Sequence, residues 1–521
     1  MGGVEVILVL LLVAVAVLAS AARRLNIPYP IVLVIGGAAL GLLPTLSDTR
    51  LDPQLVLVIF LPPLLYSGAF FANLRELRTD MRAITLLSVG LVIATTTAVA
   101  VVAHAVIDNL SWGACFVLGA IVGPTDPVAA IAIAGRLGVP RRAVAILEGE
   151  SLVNDATALV IYRIALGVVG GETFSLLHAT GQFLLDAAGG IAIGLAAGVV
   201  ISEIRRRVED PLVENTISLL SGYAAYVPAE RAGVSAVLAA VTCGIYVGWQ
   251  APLIASPATR LQGFAMWELL VFLLNAFLFV LVGMQLHQVL HDLGGRFSAE
   301  LIWWGALVSG VVILIRLLWQ HTIVFVIRGL DRRASQRARR GSWRQRMVVG
   351  WAGMRGAVSL AAALALPDDF RGRSLLVFLT FSVIFATLVL QGLTLPAVIR
   401  WLRIQGDDGD DREELKARLL ATKAALARLE ELGAEDWTRD DTLERMVGAY
   451  RYRKNRLAAR AGKVEDDGYE DRSVAYQTVV REVLEAQRRE IVRLRNEGVI
   501  SNDVMHRIER ELDLEDQRLE I

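Results

Sequence analysis

Lysine is absent from the first 403 of the 521 residues, and the whole chain has only two cysteines. Both, Cys115 and Cys243, lie in apolar runs, which argues against a disulfide framework and against a cysteine metal site. The sequence has no P-loop, dinucleotide-binding fingerprint or nucleophile elbow, so nothing indicates ATP hydrolysis or soluble-type catalysis. We therefore do not expect an enzyme, a cofactor or a nucleic-acid partner.

Long apolar runs take the place of these features. The chain is 55% hydrophobic with a mean hydropathy of +0.53, which a soluble protein of this length would not sustain. Up to residue 403 the runs alternate with short arginine-bearing loops, as in an all-α polytopic membrane protein. The first run, from Val4 to Leu18, has no basic residues before it and is followed by Arg23 and Arg24. We expect it to be a retained span rather than a signal peptide.

The runs predict thirteen transmembrane helices, and the loops between them then alternate between two sides. One set of loops holds 20 arginines and the other holds 5. The positive-inside rule therefore places the amino terminus outside and the carboxyl-terminal tail in the cytoplasm, with the protein in the plasma membrane. The predicted spans are 4–20, 28–44, 52–71, 83–107, 112–135, 143–168, 181–203, 212–228, 232–250, 260–287, 299–328, 346–367 and 374–402.

The tail has a different composition, which predicts two domains, 1–403 in the membrane and 404–521 in the cytoplasm. The tail contains 29 of the 52 acidic residues but only 22 of the 52 basic ones. Its apolar residues recur at heptad-like spacing, which is typical of surface helices that pack on each other or on the membrane domain. A coiled coil or a regulatory dimer element is the alternative. The heptad-like residues are Leu415, Leu419, Leu426, Leu429, Val480, Leu484, Ile491 and Leu494.

Four polar residues, Glu150, Ser151, Asn154 and Asp155, stand inside the apolar segment ILEGESLVNDATALV at 146–160. An aspartate at the centre of a membrane helix costs roughly 2.5–3.5 kcal/mol even on generous insertion scales, so such residues are usually functional. Helical spacing puts the first and third one turn apart, and likewise the second and fourth. We expect all four to crowd one side of the helix as oxygen ligands for a hard cation.

Two predicted spans contain helix-breaking residues at membrane depth. The fifth contains GPTDP at 123–127, where two prolines flank Thr125 and Asp126, and the twelfth contains GMRG at 353–356 around Arg355. Non-helical backbone at this depth is tolerated inside protein or beside a watered cavity. Paired breaks in corresponding positions of two halves indicate the binding site of an inverted-repeat transporter. The alternatives are an ordinary proline kink at the first break and close packing of small residues at the second.

The remaining charges at membrane depth also require partners. Arg316 lies within LVSGVVILIRLLW, and we expect it to pair with Glu150, because an unpaired buried charge is the costlier arrangement. The alternative is that Arg316 extends to the membrane interface. Asp126 and Arg355 suit the positive and negative ends of the broken helices, so we expect structural roles for both.

With these residues identified, the chain resembles cation:proton antiporters of the NhaP/NHE sodium–proton exchanger type. The resemblance covers most of the first 400 residues and implies thirteen helices in a six-plus-six inverted repeat, broken and crossing fifth and twelfth helices, and a homodimer. The matching segments are FLPPLLYSGAF at 60–70, GPTDPVAA at 123–130, EGESLVNDATALV at 148–160 and GMRGAVSLAAALALP at 353–367.

The resemblance also implies roles for individual residues. It places a transported monovalent cation at Asp155, with Glu150, Ser151 and the backbone of Thr125 nearby. Because this chain has Asn154 before Asp155, it is similar to the electroneutral branch, which exchanges one cation for one proton. Asp126 and Arg355 would then occupy the crossing helix ends, and Arg316 would be the partner of Glu150.

The mechanism expected from such a site is competition, because Asp155 can hold a proton or a hard cation but not both. We expect Na⁺, or Li⁺ or K⁺, to be exchanged for H⁺ across the lipid bilayer by alternating access. Three alternatives stay open at this point: a K⁺/H⁺ antiporter, a related carrier of organic anions with sodium, and a membrane sensor or channel of the same fold.

Overall fold

The structure is a computed structural model of the whole chain, in which the helices pack into two units. The units are Met1–Gly406 and Asp407–Ile521. The structure describes residues 2–25, 27–43, 53–108, 110–171, 174–293, 298–330, 342–404, 409–435, 437–462 and 468–519. Arg50, Arg296 and most of the basic segment 328–346, which contributed to the predicted sidedness, lie outside these ranges.

The first unit is built from helices, and no strand occurs in the part of it that the structure describes. Its elements are α1 (Gly2–Leu25), α2 (Tyr29–Leu40), α3 (Pro53–Phe71), α4 (Leu74–Thr85), α5 (Val92–Val106), α6 (Trp112–Val122), α7 (Val128–Arg136), α8 (Arg141–Val169), α9 (Leu176–Arg206), α10 (Pro211–Arg231), α11 (Ala236–Ile254), α12 (Pro257–Asp292), α13 (Ala299–Leu330), α14 (Trp343–Trp351), α15 (Ala357–Leu364), α16 (Arg373–Ala386) and α17 (Gly392–Trp401).

Helices occupy each segment that the sequence predicts to span the membrane, and the protein is an all-α, multi-pass membrane protein. Within the described residues, seven helices are long and apolar enough on their own to cross a bilayer. The other segments contain shorter or broken helices, as at α6 and α7 or at α14 and α15. The number of crossings therefore stays a prediction.

The fourth predicted span, 83–107, starts too late. The helix begins at Leu74, because the side chain of Asn73 accepts hydrogen bonds from the backbone N–H groups of Arg75 and Glu76. The first three turns are amphipathic, with Leu77 and Ile84 buried and the arginines on the other side. Polar residues that the sequence analysis assigned to a loop thus lie on α4.

Two π-helical turns were not predicted. One, at Leu86–Leu91, joins α4 to α5, and the other, at Thr387–Gln391, joins α16 to α17. Each keeps its helix continuous while shifting the face that the following residues present, and π turns are frequent at functional sites. Both turns consist of ordinary helix-compatible residues, so composition gives no signal for them.

The two predicted breaks are present. Helix α6 ends at Val122 and α7 begins at Val128, and α14 ends at Trp351 while α15 begins at Ala357. Pro124 and Pro127 have no backbone N–H to continue the first helix, and the prolines would clash with the preceding turn. Each break leaves two half-helix ends in the interior of the unit.

Two apolar cores surround these breaks. The larger one includes residues of α5 to α8 and of α12 to α17, and the smaller one is centred on α3, α10 and α11 with Trp267. Helix α8 contributes to both, through Leu147 on one side and Leu152 on the other. The polar residues of α8 therefore lie where the two cores meet.

The second unit consists of α18 (Gly409–Leu432), α19 (Asp440–Arg460), α20 (Tyr469–Asn496) and α21 (Asn502–Leu519). Leu419 of α18 is buried against Leu457 of α19. Leu484 and Ile491 of α20 are buried with Met505 and Leu512 of α21. Several of the heptad-like residues thus pack between helices of the tail.

Candidate functional site

The two broken helices meet at their breaks. The backbone N–H of Asp126 donates a 2.8 Å hydrogen bond to the carbonyl oxygen of Met354. The approach is close enough that a Cβ atom at Gly356 would overlap the carboxylate of Asp126. A glycine is required there for steric reasons, and it lets the two breaks interlock.

Asp126 lies at the amino-terminal ends of two half-helices. Its Oδ1 accepts a 2.9 Å hydrogen bond from the backbone N–H of Val128, in the first turn of α7. Its Oδ2 lies against Gly356, the residue that precedes α15. Helix amino termini carry partial positive charge, so this position stabilises a carboxylate without a cationic side chain.

Arg355 occupies the opposite position and is fully buried. Its Nε donates a 3.1 Å hydrogen bond to the carbonyl of Val122, the last residue of α6, and its Nη1 donates to the carbonyl of Gly353. Its backbone N–H donates at 3.2 Å to the hydroxyl of Thr387, in the second π turn. The guanidinium therefore neutralises helix carboxyl ends, as the dipole argument expected.

The predicted ion pair between Glu150 and Arg316 is present, and both side chains are at most 2% exposed. Arg316 binds the carboxylate in a bidentate manner, with Nη1 donating to Oε1 and Nη2 donating to Oε2 at 2.9 Å. Its other N–H groups donate to the carbonyls of Gly350 at 3.2 Å and Val349 at 3.1 Å. Arg316 thus ties α13 to α8 and α14, and the alternative in which it extends to the interface is wrong.

Thr125 connects this pair to the first break. Its hydroxyl donates a 2.9 Å hydrogen bond to Oε1 of Glu150. Its carbonyl and its hydroxyl accept hydrogen bonds from Nδ2 of Asn154, at 2.9 and 3.1 Å. Glu150 and Asn154 therefore hold the unwound backbone of the break against α8.

Asp155 has no such partner. Its side chain is 8% exposed, and its carboxylate forms no hydrogen bond or ion pair with any residue that the structure describes. It lines a cavity of about 300 Å³ that is bounded by α3, the first break, α8, α12 and the start of α15. The polar residues of its lining include Thr125, Asp126, Glu148, Ser151, Asp155 and Asn275.

This lining divides the four polar residues that the sequence analysis placed on one side of α8. Ser151 and Asp155 line the cavity, whereas Glu150 and Asn154 do not. Consecutive residues of a helix point about 100° apart, so Ser151 and Asp155 face in a different direction from Glu150 and Asn154. The sequence analysis also left Glu148 out of the site, although the seven-residue spacing from Glu148 to Asp155 was a signal for a shared face.

This geometry suits the site to bind either a hard cation or a proton. Asp155 offers a buried carboxylate with free lone pairs, and Ser151 and Thr125 line the same cavity. Oxygen ligands of this kind suit a hard cation, and a carboxylate in a low-dielectric setting also takes up a proton readily. Cation and proton would compete for the same atoms.

A buried carboxylate beside two interlocked helix breaks in a multi-pass helical protein is an arrangement typical of secondary transporters. Residues 8–401 match the family described as the transmembrane domain of sodium/hydrogen exchangers. An uncharacterised Na⁺/H⁺ exchanger of Mycobacterium tuberculosis is 34% identical to this chain. The alignment covers 99% of this chain and 96% of the relative. The Na⁺/H⁺ antiporter ApNhaP of Aphanothece halophytica is also 34% identical, over 78% of this chain and 75% of its own length.

A solved structure supports the same fold. The sodium proton antiporter MjNhaP1 from Methanocaldococcus jannaschii aligns with 78% of this chain and 100% of its own, with a TM-score of 0.57 and 20% identity. At that identity the likeness concerns the fold alone. The family match and the sequence relatives together show that the chain belongs to the sodium/hydrogen exchanger family, whose members are transporters.

Proposed function

We propose that this protein exchanges Na⁺ for H⁺ across the plasma membrane, one cation for one proton, with Asp155 as the shared binding site. The observation that carries the proposal is the carboxylate of Asp155, which is buried, unpaired within the described residues and open to the cavity at the first break. Family membership and the Na⁺/H⁺ exchange after which the relatives are named support the choice of reaction.

Coupling follows from the energetics of a charge in an apolar setting. An empty, ionised Asp155 would be too costly to carry past the apolar barrier between the two sides of the membrane. Either a proton or a bound cation neutralises it, and only those two forms can change sides. Alternating access restricted to neutral forms is obligatory exchange, and the gradient of one ion then drives the other.

We also propose the finer architecture that this mechanism requires, thirteen spans in a six-plus-six inverted repeat. In support of the repeat, corresponding helices brace the two breaks in similar ways: Asn154 of α8 hydrogen-bonds Thr125 in the first, and Thr387 hydrogen-bonds Arg355 in the second. The arginine asymmetry between loops supports an external amino terminus and a cytoplasmic tail. The tail, residues 404–521, would regulate a homodimeric exchanger without being part of the pathway.

Exchange in proteoliposomes that contain a pH-sensitive dye tests the function. The wild type should acidify or alkalinise the lumen when a Na⁺ gradient is imposed, and Li⁺ and K⁺ in separate runs define the selectivity. Asp155→Asn should insert and fold but lose exchange at every pH. The matched control is Asp368→Asn, because Asp368 is a fully exposed carboxylate. Cation-driven dye signals that persist in Asp155→Asn would refute the assignment.

The same assay separates the competing functions. A channel or sensor would pass cations without an obligatory proton flux, and a K⁺/H⁺ antiporter would respond to K⁺ and not to Na⁺. A carrier of organic anions would require a cationic side chain at the site. No lysine, arginine or histidine belongs to the cavity lining among the described residues, and Arg316 and Arg355 are engaged elsewhere. This supports a cation as the cargo.

A further inference from the structure

Besides Asp155 and Asp126, the cavity is lined by a third carboxylate, Glu148, which the mechanism above does not use. Glu148 and Asp155 belong to α8 and line the same cavity, with Ser151 between them. Seven residues along a helix correspond to two turns, so the two carboxylates share a face at a spacing of about 10 Å. Glu148 is the nearer of the two to the beginning of α8 at Arg141.

The charges around Glu148 leave its carboxylate available. Glu76 of α4 and Arg141 are the charged groups that act on it most strongly. Arg141 is committed to Glu76, with 3.0 Å between Nε and Oε1, and Glu76 also accepts a 2.8 Å hydrogen bond from Asn73. Glu148 itself forms no hydrogen bond or ion pair with the described part of the chain. A half-buried carboxylate therefore faces the cavity without a fixed partner.

We propose that Glu148 is a cation-capture residue, which holds the incoming monovalent cation at the cavity mouth before it reaches Asp155. The inference deepens the proposed function and rests on it. Asp155 is the proposed final binding site, because its buried carboxylate, which has no partner among the described residues, suits a cation in this cavity. Glu148 supplies the first oxygen ligands on the way, and the hydroxyl of Ser151 lies between the two positions. By the predicted sidedness, this mouth opens to the cytoplasm.

We expect Glu148 to affect the binding of the cation and not the maximal rate of exchange. A negative charge in a cleft with apolar walls raises the local concentration of cations and the rate at which they arrive. The charge of Glu148 also attracts a cation bound at Asp155 from about 10 Å away. At an intermediate dielectric this attraction raises the affinity of Asp155 for the cation roughly fivefold. Because only Asp155 must be neutralised for the site to change sides, the maximal rate does not depend on Glu148.

The test compares Glu148→Gln with the wild type in proteoliposomes, measuring KM for Na⁺ and the maximal exchange rate separately. Glu148→Gln should raise KM roughly fivefold and leave the maximal rate within a factor of two. Glu148→Asp, which keeps the charge, should restore most of the affinity. The matched control is Glu203→Gln on α9, because the side chain of Glu203 is 45% exposed and pairs only with surface arginines, Arg206 and Arg207, among the described residues.

Equilibrium binding of ²²Na⁺ to the detergent-solubilised protein gives a second measurement. Glu148→Gln should weaken binding by a factor similar to its change in KM, and adding choline chloride should narrow the difference, because salt screens the charge. An unchanged KM in Glu148→Gln, with an active wild type and an inactive Asp155→Asn, would overturn this inference alone. A lost maximal rate that Glu148→Asp does not restore would also overturn it. No exchange in the wild type would overturn the proposed function as well.

Discussion

Glu150 and Asp155 are carboxylates on the same helix, and their surroundings are opposite. Glu150 is bound in place by a bidentate arginine and a threonine hydroxyl, whereas Asp155 faces a cavity and has no partner among the described residues. One face of α8 is fixed and the other is open. The difference teaches that burial alone does not single out Asp155, the proposed transport site, because Glu150 is the more deeply buried of the two.

The fixed face supports the open one. Glu150 and Asn154 hold Thr125, and Thr125 lines the same cavity as Asp155. Arg316 in turn neutralises Glu150, so of the two carboxylates Glu150 and Asp155 only Asp155 carries a charge without a fixed partner among the described residues. We therefore expect substitutions on the fixed face to reduce stability, and substitutions on the open face to reduce transport.

The largest effect on stability is expected from breaking the ion pair of the fixed face. Removal of one partner leaves an uncompensated buried charge, which costs on the order of 3–5 kcal/mol in the free energy of unfolding. Glu150→Ala and Arg316→Ala should therefore each lower the melting temperature in detergent markedly. The double variant should regain part of the loss. If the effects of the two single variants simply add in the double variant, the side chains do not interact.

A smaller effect is expected where the two breaks interlock. Gly356→Ala would push a methyl group into the carboxylate of Asp126, and overpacking of this kind costs about 1–3 kcal/mol in the free energy of unfolding. Gly310→Ala is the matched control, because a Cβ atom at Gly310 on α13 meets no atom within 4 Å. Thermal unfolding of both variants in detergent measures the difference. Equal melting temperatures for the two would contradict the close contact between the breaks.

The fixed face was largely predictable from the sequence, whereas the open face was predictable only in part, through Ser151 and Asp155. Proline and glycine at membrane depth predict the breaks, and the cost of an unpaired charge predicts the partner of Glu150. The rotation of α8 about its axis decides which polar residues reach the cavity, and it depends on the packing of the neighbouring helices. For this reason the sequence analysis placed Glu150 and Asn154 with the cavity residues and left Glu148 out.

The π turns and the early start of α4 were missed for a related reason. The turn at Thr387–Gln391 brings a hydroxyl to the backbone of Arg355, but a π turn is built from residues that also suit an ordinary helix. The start of α4 depends on the cap at Asn73 and on a short amphipathic stretch, which a hydropathy profile assigns to a loop. Local hydrophobicity therefore gives the existence of the helices more reliably than their ends and faces.

The smallest expected effect concerns the membrane potential, and it tests the role of Asn154 on the fixed face. Asn154 is neutral and its Nδ2 group donates to Thr125, so of Asn154 and Asp155 only Asp155 is ionisable. Asp126, although it lines the cavity, is held at two helix amino termini and is expected to keep its charge throughout the cycle. We therefore expect one cation to replace one proton, with no net charge crossing the membrane.

A potential imposed with valinomycin and a K⁺ gradient should therefore leave the initial rate of Na⁺-driven proton exchange unchanged in proteoliposomes. Valinomycin with equal K⁺ on both sides is the control for effects of the ionophore itself. A several-fold change in rate would mean that a second charge moves with Asp155. Asp126→Asn would then identify its source, because removal of that carboxylate should abolish the dependence on potential if Asp126 titrates during the cycle.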